Sequence, residues 1–125
     1  LDFLENCLAR DIAVVLGGVF NSGILVRDLV PGVKYNYEAA SQELLARAQA
    51  IDSICQRHGT SLPVAALQFV AMHPAVTSLV VGAENPEEVS QNLLMRSTKV
   101  PAQLWLDLKK EGLIQNNVPV GGNLC

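Results

Sequence analysis

The sequence has no long apolar run, no basic cluster and few cysteines, and each shortage removes a class of function. Its longest unbroken apolar stretch, Ile12 to Phe20, falls well short of the roughly 20 residues a membrane-spanning helix needs. No charged amino-terminal region precedes a hydrophobic one, so no signal peptide is visible. The net charge is −3, and no basic cluster exceeds the pair Lys109-Lys110. Nucleic-acid binding needs a basic patch or stripe, which excludes that class. Cys7, Cys55 and Cys125 lack CxxC spacing and form an odd set. They fit reduced thiols of a cytoplasmic protein, the first two as small buried hydrophobes. His58 and His73 have no second ligand at metal spacing, so no metal site is expected. Ser22, Ser41 and Ser61 lack a nucleophile elbow.

What is present is a globular composition: 50% of residues are apolar and 17% charged, enough for one domain with a core. Leu1 stands where an initiator Met is usual, from which we expect further sequence upstream. Asp2 to Arg10 has helical spacing, with Leu4, Cys7 and Leu8 on one face. Ile12 to Leu16 is a short β-branched run bounded by Asp11 and Gly17, the pattern of a buried parallel strand. A long loop punctuated by Gly17, Gly18, Gly23 and Pro31-Gly32 follows. Glu38 to His58 predicts a helix ended by Gly59, and Thr60 or Ser61 caps the next, which His73-Pro74 stops.

Thr77 to Val81 predicts a second buried strand, and Asn85-Pro86-Glu87-Glu88 a capped helix start. A final helix spans Ala102 to Glu111, and the tail from Gln115, with Pro119, Gly121 and Gly122, is expected to be loosely held. Alternating strands and helices predict an α/β class with parallel βαβ units. Two strands apolar on both faces expect neighbours that these residues do not supply, so the chain reads as part of a larger domain.

Ligands of α/β folds bind at the carboxyl ends of strands, and two segments qualify. Gly17 to Gly23 is rich in glycine and carries the Ser22 hydroxyl; it is either an anion-binding loop or a glycine-relaxed turn. It is neither GxGxxG nor a P-loop. Gly82-Ala83-Glu84-Asn85 leads into the helix bearing Glu88, Gln91 and Asn92. Gln91 and Asn92 either hydrogen-bond an adenine edge or form a solvated face, and Glu88 is also placed for a capping box with Asn85. Glu84, Glu87 and Glu88 crowd the place an adenosine 2′-phosphate would occupy. If a dinucleotide binds here, like charge disfavours NADP and favours NAD, whose free 2′-hydroxyl can donate to a carboxylate. Tyr35 and Tyr37 either line a substrate mouth or pack their own loop.

With these residues laid out, the sequence resembles the last portion of an aldo-keto reductase. The resemblance rests on Val14 to Leu25 (VVLGGVFNSGIL), His58-Gly59 with Ala65 to Phe69, His73 to Val76, and VVGAENPEEVSQN ending at Asn92. VFNSGIL, the Pro-Gly/Tyr-x-Tyr loop and Leu104-Trp105 most resemble the branch that includes D-threo-aldose 1-dehydrogenase, L-fucose dehydrogenase and pyridoxal 4-dehydrogenase. The resemblance implies that residues 1–112 are the carboxyl-terminal part of a (β/α)8 TIM barrel, about strands seven and eight, followed by a tail at 113–125. It places the pyrophosphate-contacting loop on Phe20, Asn21, Ser22 and Gly23. It places the adenosine-binding segment on Gly82, Ala83, Glu84, Glu88, Gln91 and Asn92. Glu88 stands where NADP-dependent members often carry Arg, and Gln91 where Glu is usual.

The family's catalytic Asp, Tyr, Lys and His lie before this segment, so no catalytic residue is assigned here. The implied activity is an NAD(P)-dependent oxidoreductase of the aldose or alcohol dehydrogenase type, acting on a small sugar or alcohol/carbonyl substrate, with NAD favoured over NADP. A typical barrel needs roughly 250 residues, so the isolated chain is expected to be inactive without its amino-terminal part. The alternative is a stand-alone nucleotide-binding or assembly module without catalysis; a gene remnant without function is a third reading.

Overall fold

A computed structural model describes residues 2–120. The element order is α1 (Asp2–Ala9), β1 (Val14–Leu16), a 3-10 turn (Asn21–Gly23), β2 (Lys34–Tyr35), β3 (Glu38–Ala39), α2 (Gln42–Arg57), α3 (Leu62–Ala71), β4 (Val76–Leu79), α4 (Pro86–Ser97) and α5 (Ala102–Lys110). β1 and β4 pair in parallel, and β2 and β3 form a separate antiparallel hairpin.

The core is helical. Ile54 and Cys55 of α2, Leu62 and Ala65 of α3, and Leu104, Trp105 and Leu108 of α5 form one buried cluster, with Phe69 and Trp105 in ring contact at 6.0 Å. Burying such side chains stabilises by about 1.5–3 kcal/mol each. A second cluster of Ile24, Val33 and Ala48 seats the long loop on α2, and Tyr35 packs against it. A polar link joins α3 to α4. The buried Gln68 amide donates to the Met95 carbonyl at 2.9 Å and to that of Thr98, both at the end of α4.

Three expectations change. The helix expected from Glu38 begins at Gln42, because Ser41 is its cap and its Oγ accepts from the Leu44 N–H at 3.2 Å. Glu38 and Ala39 instead form the return strand of the hairpin. The two parallel strands, expected to be buried on both faces, are not: Val15 of β1 is 62% exposed, and Val80, just past β4, is 60% exposed. α3 packs beside β4, but a two-stranded sheet leaves both outer edges without partners.

The tail, expected to be loose from Gln115, is tied down as far as Val120. Lys109 Nζ donates to the carbonyls of Asn116 and Val118, and Val120 packs on the main core. Gly121, Gly122 and Cys125 lie outside the described residues. Gly59 and Gly112 end α2 and α5 with φ of +67° and +66°, in the left-handed region that costs other residues more than glycine.

Candidate functional site

Val15 lies opposite Ser78 and Leu16 opposite Leu79 in the parallel pair, so the segments following β1 and β4 leave the sheet at the same end. The first carries Phe20, Asn21, Ser22 and Gly23; the second carries Gly82, Ala83 and Glu84 and leads to Glu88, Gln91 and Asn92 on α4. Both expected ligand segments therefore share one end of the fold. No hydrogen bond joins them among the described residues.

The first loop is held in an unusual conformation. Asn21 and Ser22 have φ of +42° and +59°, and Gly23 has +100°. Left-handed backbone at a non-glycine residue costs on the order of 1–3 kcal/mol and persists only where surroundings impose it. Here the β2–β3 hairpin imposes it. Its tip residues Asn36 and Tyr37 also have positive φ, +48° and +70°, as the favoured two-residue hairpin turn requires. The Asn36 N–H donates to Asn21 Oδ1 at 3.1 Å and the Tyr37 N–H to Ser22 Oγ at 3.0 Å. With those oxygens engaged, the Asn21 amide hydrogens and the Ser22 hydroxyl hydrogen remain to donate elsewhere, which suits an anionic partner.

Sequence reasoning missed this tie between hairpin and loop. The available signal was Asn36 between two tyrosines after Pro31-Gly32, since Asn tolerates positive φ. Of the two tyrosines, Tyr35 is half-buried packing and Tyr37 is 88% exposed at the tip. Gly23 allows a close approach by Arg27: a Cβ there would lie 2.9 Å from Arg27 Nε.

The second segment is organised by capping. Asn85 Oδ1 accepts from the Glu88 N–H at 2.9 Å. Glu88 Oε2 accepts from the Glu84 N–H at 2.8 Å, one residue before the position a standard capping box uses. Glu87 and Glu88 both stand in the first turn of α4, so carboxylates already complement the positive end of its dipole. Asn92 Nδ2 reaches the Gly82 carbonyl at 3.4 Å, while Gln91 and Ala83 are exposed. Arg96 is eight residues beyond Glu88, about 12 Å along the helix at its usual rise, and lines a different surface.

That surface is a cavity of about 690 Å³ beside β4, α3 and α4, walled by apolar groups such as Leu67, Leu79, Val89 and Leu93. Of the expected site residues only Ala83 and Asn92 reach it. Its wall also carries polar groups, among them His73, Thr77, Ser78, Asn92 and Arg96.

Neither histidine is available to a ligand in simple fashion. His58 Nε2 lies 2.8 Å from Asp107 Oδ2. His73 is buried; its Nδ1 accepts from the Ala75 N–H at 3.2 Å and its Nε2 faces Glu5 at 3.5 Å, too long for a good hydrogen bond. Among the described residues no group of three His, Cys, Asp or Glu comes together, and no helix is long and apolar enough to cross a membrane.

A family model described as the aldo/keto reductase family matches residues 1–111. Pyridoxal 4-dehydrogenase of Microbacterium luteolum is 37% identical over 113 residues, 90% of this chain and 33% of that protein. D-threo-aldose 1-dehydrogenase of a Pseudomonas species is 34% identical over 114 residues, 90% of this chain and 35% of that protein. The chain thus spans about a third of the length of these curated relatives. With two strand-end loops at one end of a parallel pair and a family match over nearly its whole length, the chain belongs to the aldo/keto reductase family.

Proposed function

We propose that this chain is the carboxyl-terminal part of a (β/α)8 barrel, β1 and β4 serving as strands seven and eight. The whole protein is then an NAD(P)-dependent oxidoreductase of a small sugar, alcohol or carbonyl compound. The observation that carries this reading is the shared end of β1 and β4, where the Asn21–Gly23 turn and the capped start of α4 emerge together. The exposed Val15 and Val80 agree with strands that take further barrel neighbours. A cytoplasmic setting agrees with the free thiols of Cys7 and Cys55.

Phe20, Asn21, Ser22 and Gly23 then hold the diphosphate of the dinucleotide, and Gly82, Ala83, Glu84, Glu88, Gln91 and Asn92 its adenosine. The bound nicotinamide supplies hydride transfer; the catalytic groups are contributed by earlier strands. NAD is favoured over NADP. The exposed Glu84 and Glu87 stand beside Glu88, and a 2′-phosphate there meets like charge, whereas a 2′-hydroxyl can donate to a carboxylate.

The test is to assay the full-length protein for dinucleotide reduction with aldoses, pyridoxal and simple alcohols. Turnover with NAD exceeding that with NADP supports both parts of the reading. Turnover with NADP alone would remove the cofactor assignment, and failure to bind either dinucleotide would remove the oxidoreductase assignment.

A further inference from the structure

We propose that Asn36, at the tip of the β2–β3 hairpin, is a positioning residue for ligand binding, a role that rests on the dinucleotide reading above. Its left-handed backbone aims the tip at the glycine-rich loop and so fixes the side chains of Asn21 and Ser22. Asn36 itself touches no ligand in this role.

The loop needs such support. Asn21, Ser22 and Gly23 are left-handed in succession, at φ of +42°, +59° and +100°, and of the three only glycine adopts that backbone freely. The Gly23 N–H closes the turn on the Phe20 carbonyl at 3.0 Å, but the Asn21 and Ser22 side chains are fixed from outside. The Asn36 N–H holds Asn21 Oδ1 at 3.1 Å and the Tyr37 N–H holds Ser22 Oγ at 3.0 Å, each across fifteen residues of chain.

The hairpin stands on the same apolar cluster as the loop. Ile24, next to Gly23, and Val33 belong to that cluster, and Tyr35 packs against it. The Ala40 N–H closes the hairpin's base on the Val33 carbonyl at 2.8 Å. Tyr35 faces Glu38, which leaves Asn36 and Tyr37 as a two-residue turn with φ of +48° and +70°. Tyr37 is 88% exposed, so side-chain packing does little to hold the tip over the loop. Its backbone preference does, and Asn is one of the few residues besides glycine that tolerates left-handed φ. The Asn36 side chain is exposed, so substitutions there change that preference without opening the core.

The test measures binding of NAD, NADP and adenosine to the full-length protein and its Asn36→Gly, Asn36→Ala and Asn36→Val variants. Glycine keeps the left-handed backbone and the N–H, whereas alanine and valine keep the N–H but disfavour the backbone. A tip that is correctly placed only part of the time lowers the apparent affinity in proportion. We expect dinucleotide binding to weaken about fivefold in Asn36→Ala and further in Asn36→Val, with Asn36→Gly matching the wild type. Adenosine, assigned above to the α4 segment, binds to wild type and variants alike. Equal dinucleotide affinity in the wild type, Asn36→Ala and Asn36→Val would overturn the positioning role while leaving the dinucleotide reading intact. A loss in Asn36→Gly as large as in Asn36→Ala would overturn it by tracing the effect to the side chain. A parallel loss of adenosine affinity would do the same by showing general damage. A wild type that binds neither NAD nor NADP would remove the dinucleotide reading itself, and the role of Asn36 with it.

Discussion

The Glu88 carboxylate accepts from the Glu84 N–H at 2.8 Å while standing beside Glu87 in the first turn of α4, so changing it can alter capping and charge together. Glu88→Gln separates the two. The amide keeps an acceptor for the Glu84 N–H and removes one negative charge from the expected adenosine site. In the full-length enzyme the ratio of kcat/KM for NADP over NAD should rise by about threefold to tenfold, with thermal stability nearly unchanged. Glu88→Ala should add a loss of about 0.5–2 kcal/mol from the cap. An unchanged cofactor ratio in Glu88→Gln would place this carboxylate out of reach of the 2′ position. Cys55 makes a different residue-scale case. It is 0% exposed, and burial first, then the Asp52 carboxylate, pushes its thiol from 9.0 to about 11. Cys55 should resist thiol reagents in the native protein and react once the protein is unfolded. The unfolded thiol ionises near 9.0 and the folded one near 11, so the unfolded state loses its proton first. Stability should therefore fall as pH rises through that interval, and Cys55→Ala should flatten this alkaline limb in denaturation curves.

Among the elements, α3 and α4 are linked by a buried amide. Gln68 donates to the Met95 and Thr98 carbonyls, so Gln68→Leu keeps much of the volume but leaves both acceptors without that donor. The expected cost is about 1–3 kcal/mol, read from the urea midpoint at unchanged slope. α2 and α5 are joined by His58 and Asp107. Gln103 first, and His58 second, hold the Asp107 carboxyl below its ordinary value of 3.8. Such a group contributes stability above its unfolded pKa and loses it as pH falls through the folded one. Asp107→Asn should therefore flatten the acid limb below pH about 4, most at low salt because the pair is partly exposed. The helices were legible because their signals are local: Gly59 and Gly112 end α2 and α5, and Asn85 caps α4. The hairpin was not legible. Glu38 and Ala39 are ordinary helix formers, and only the cap at Ser41 and the long-range bonds to Asn21 and Ser22 set them apart. The tail misled for a related reason: a Pro- and Gly-containing stretch reads as loose, while Lys109 holds it through carbonyls that carry no sequence signature. The two candidate segments were proposed from their glycines and strand-end positions, but the orientation of Asn21 and Ser22 depends on backbone geometry that no spacing encodes.

At the scale of the whole molecule, Val15 and Val80 distinguish the barrel from a self-sufficient module. Val15 on β1 and Val80 just past β4 are both well exposed, and exposed apolar strand edges pair with whatever chain is available. Expressed alone, the 125-residue chain should elute as aggregate or unfolded monomer and show no dehydrogenase activity; a discrete folded dimer would favour the module. Val15→Lys sharpens the comparison because the two settings predict opposite signs. In the isolated chain it places a charge on an exposed edge and should raise solubility. In the full-length barrel the same position is covered by neighbouring elements, so an unpaired ammonium is buried there and folding should fail or weaken by several kcal/mol. A full-length protein that tolerates Val15→Lys without loss of stability would mean that this strand stays open in the mature fold, which the barrel reading does not allow.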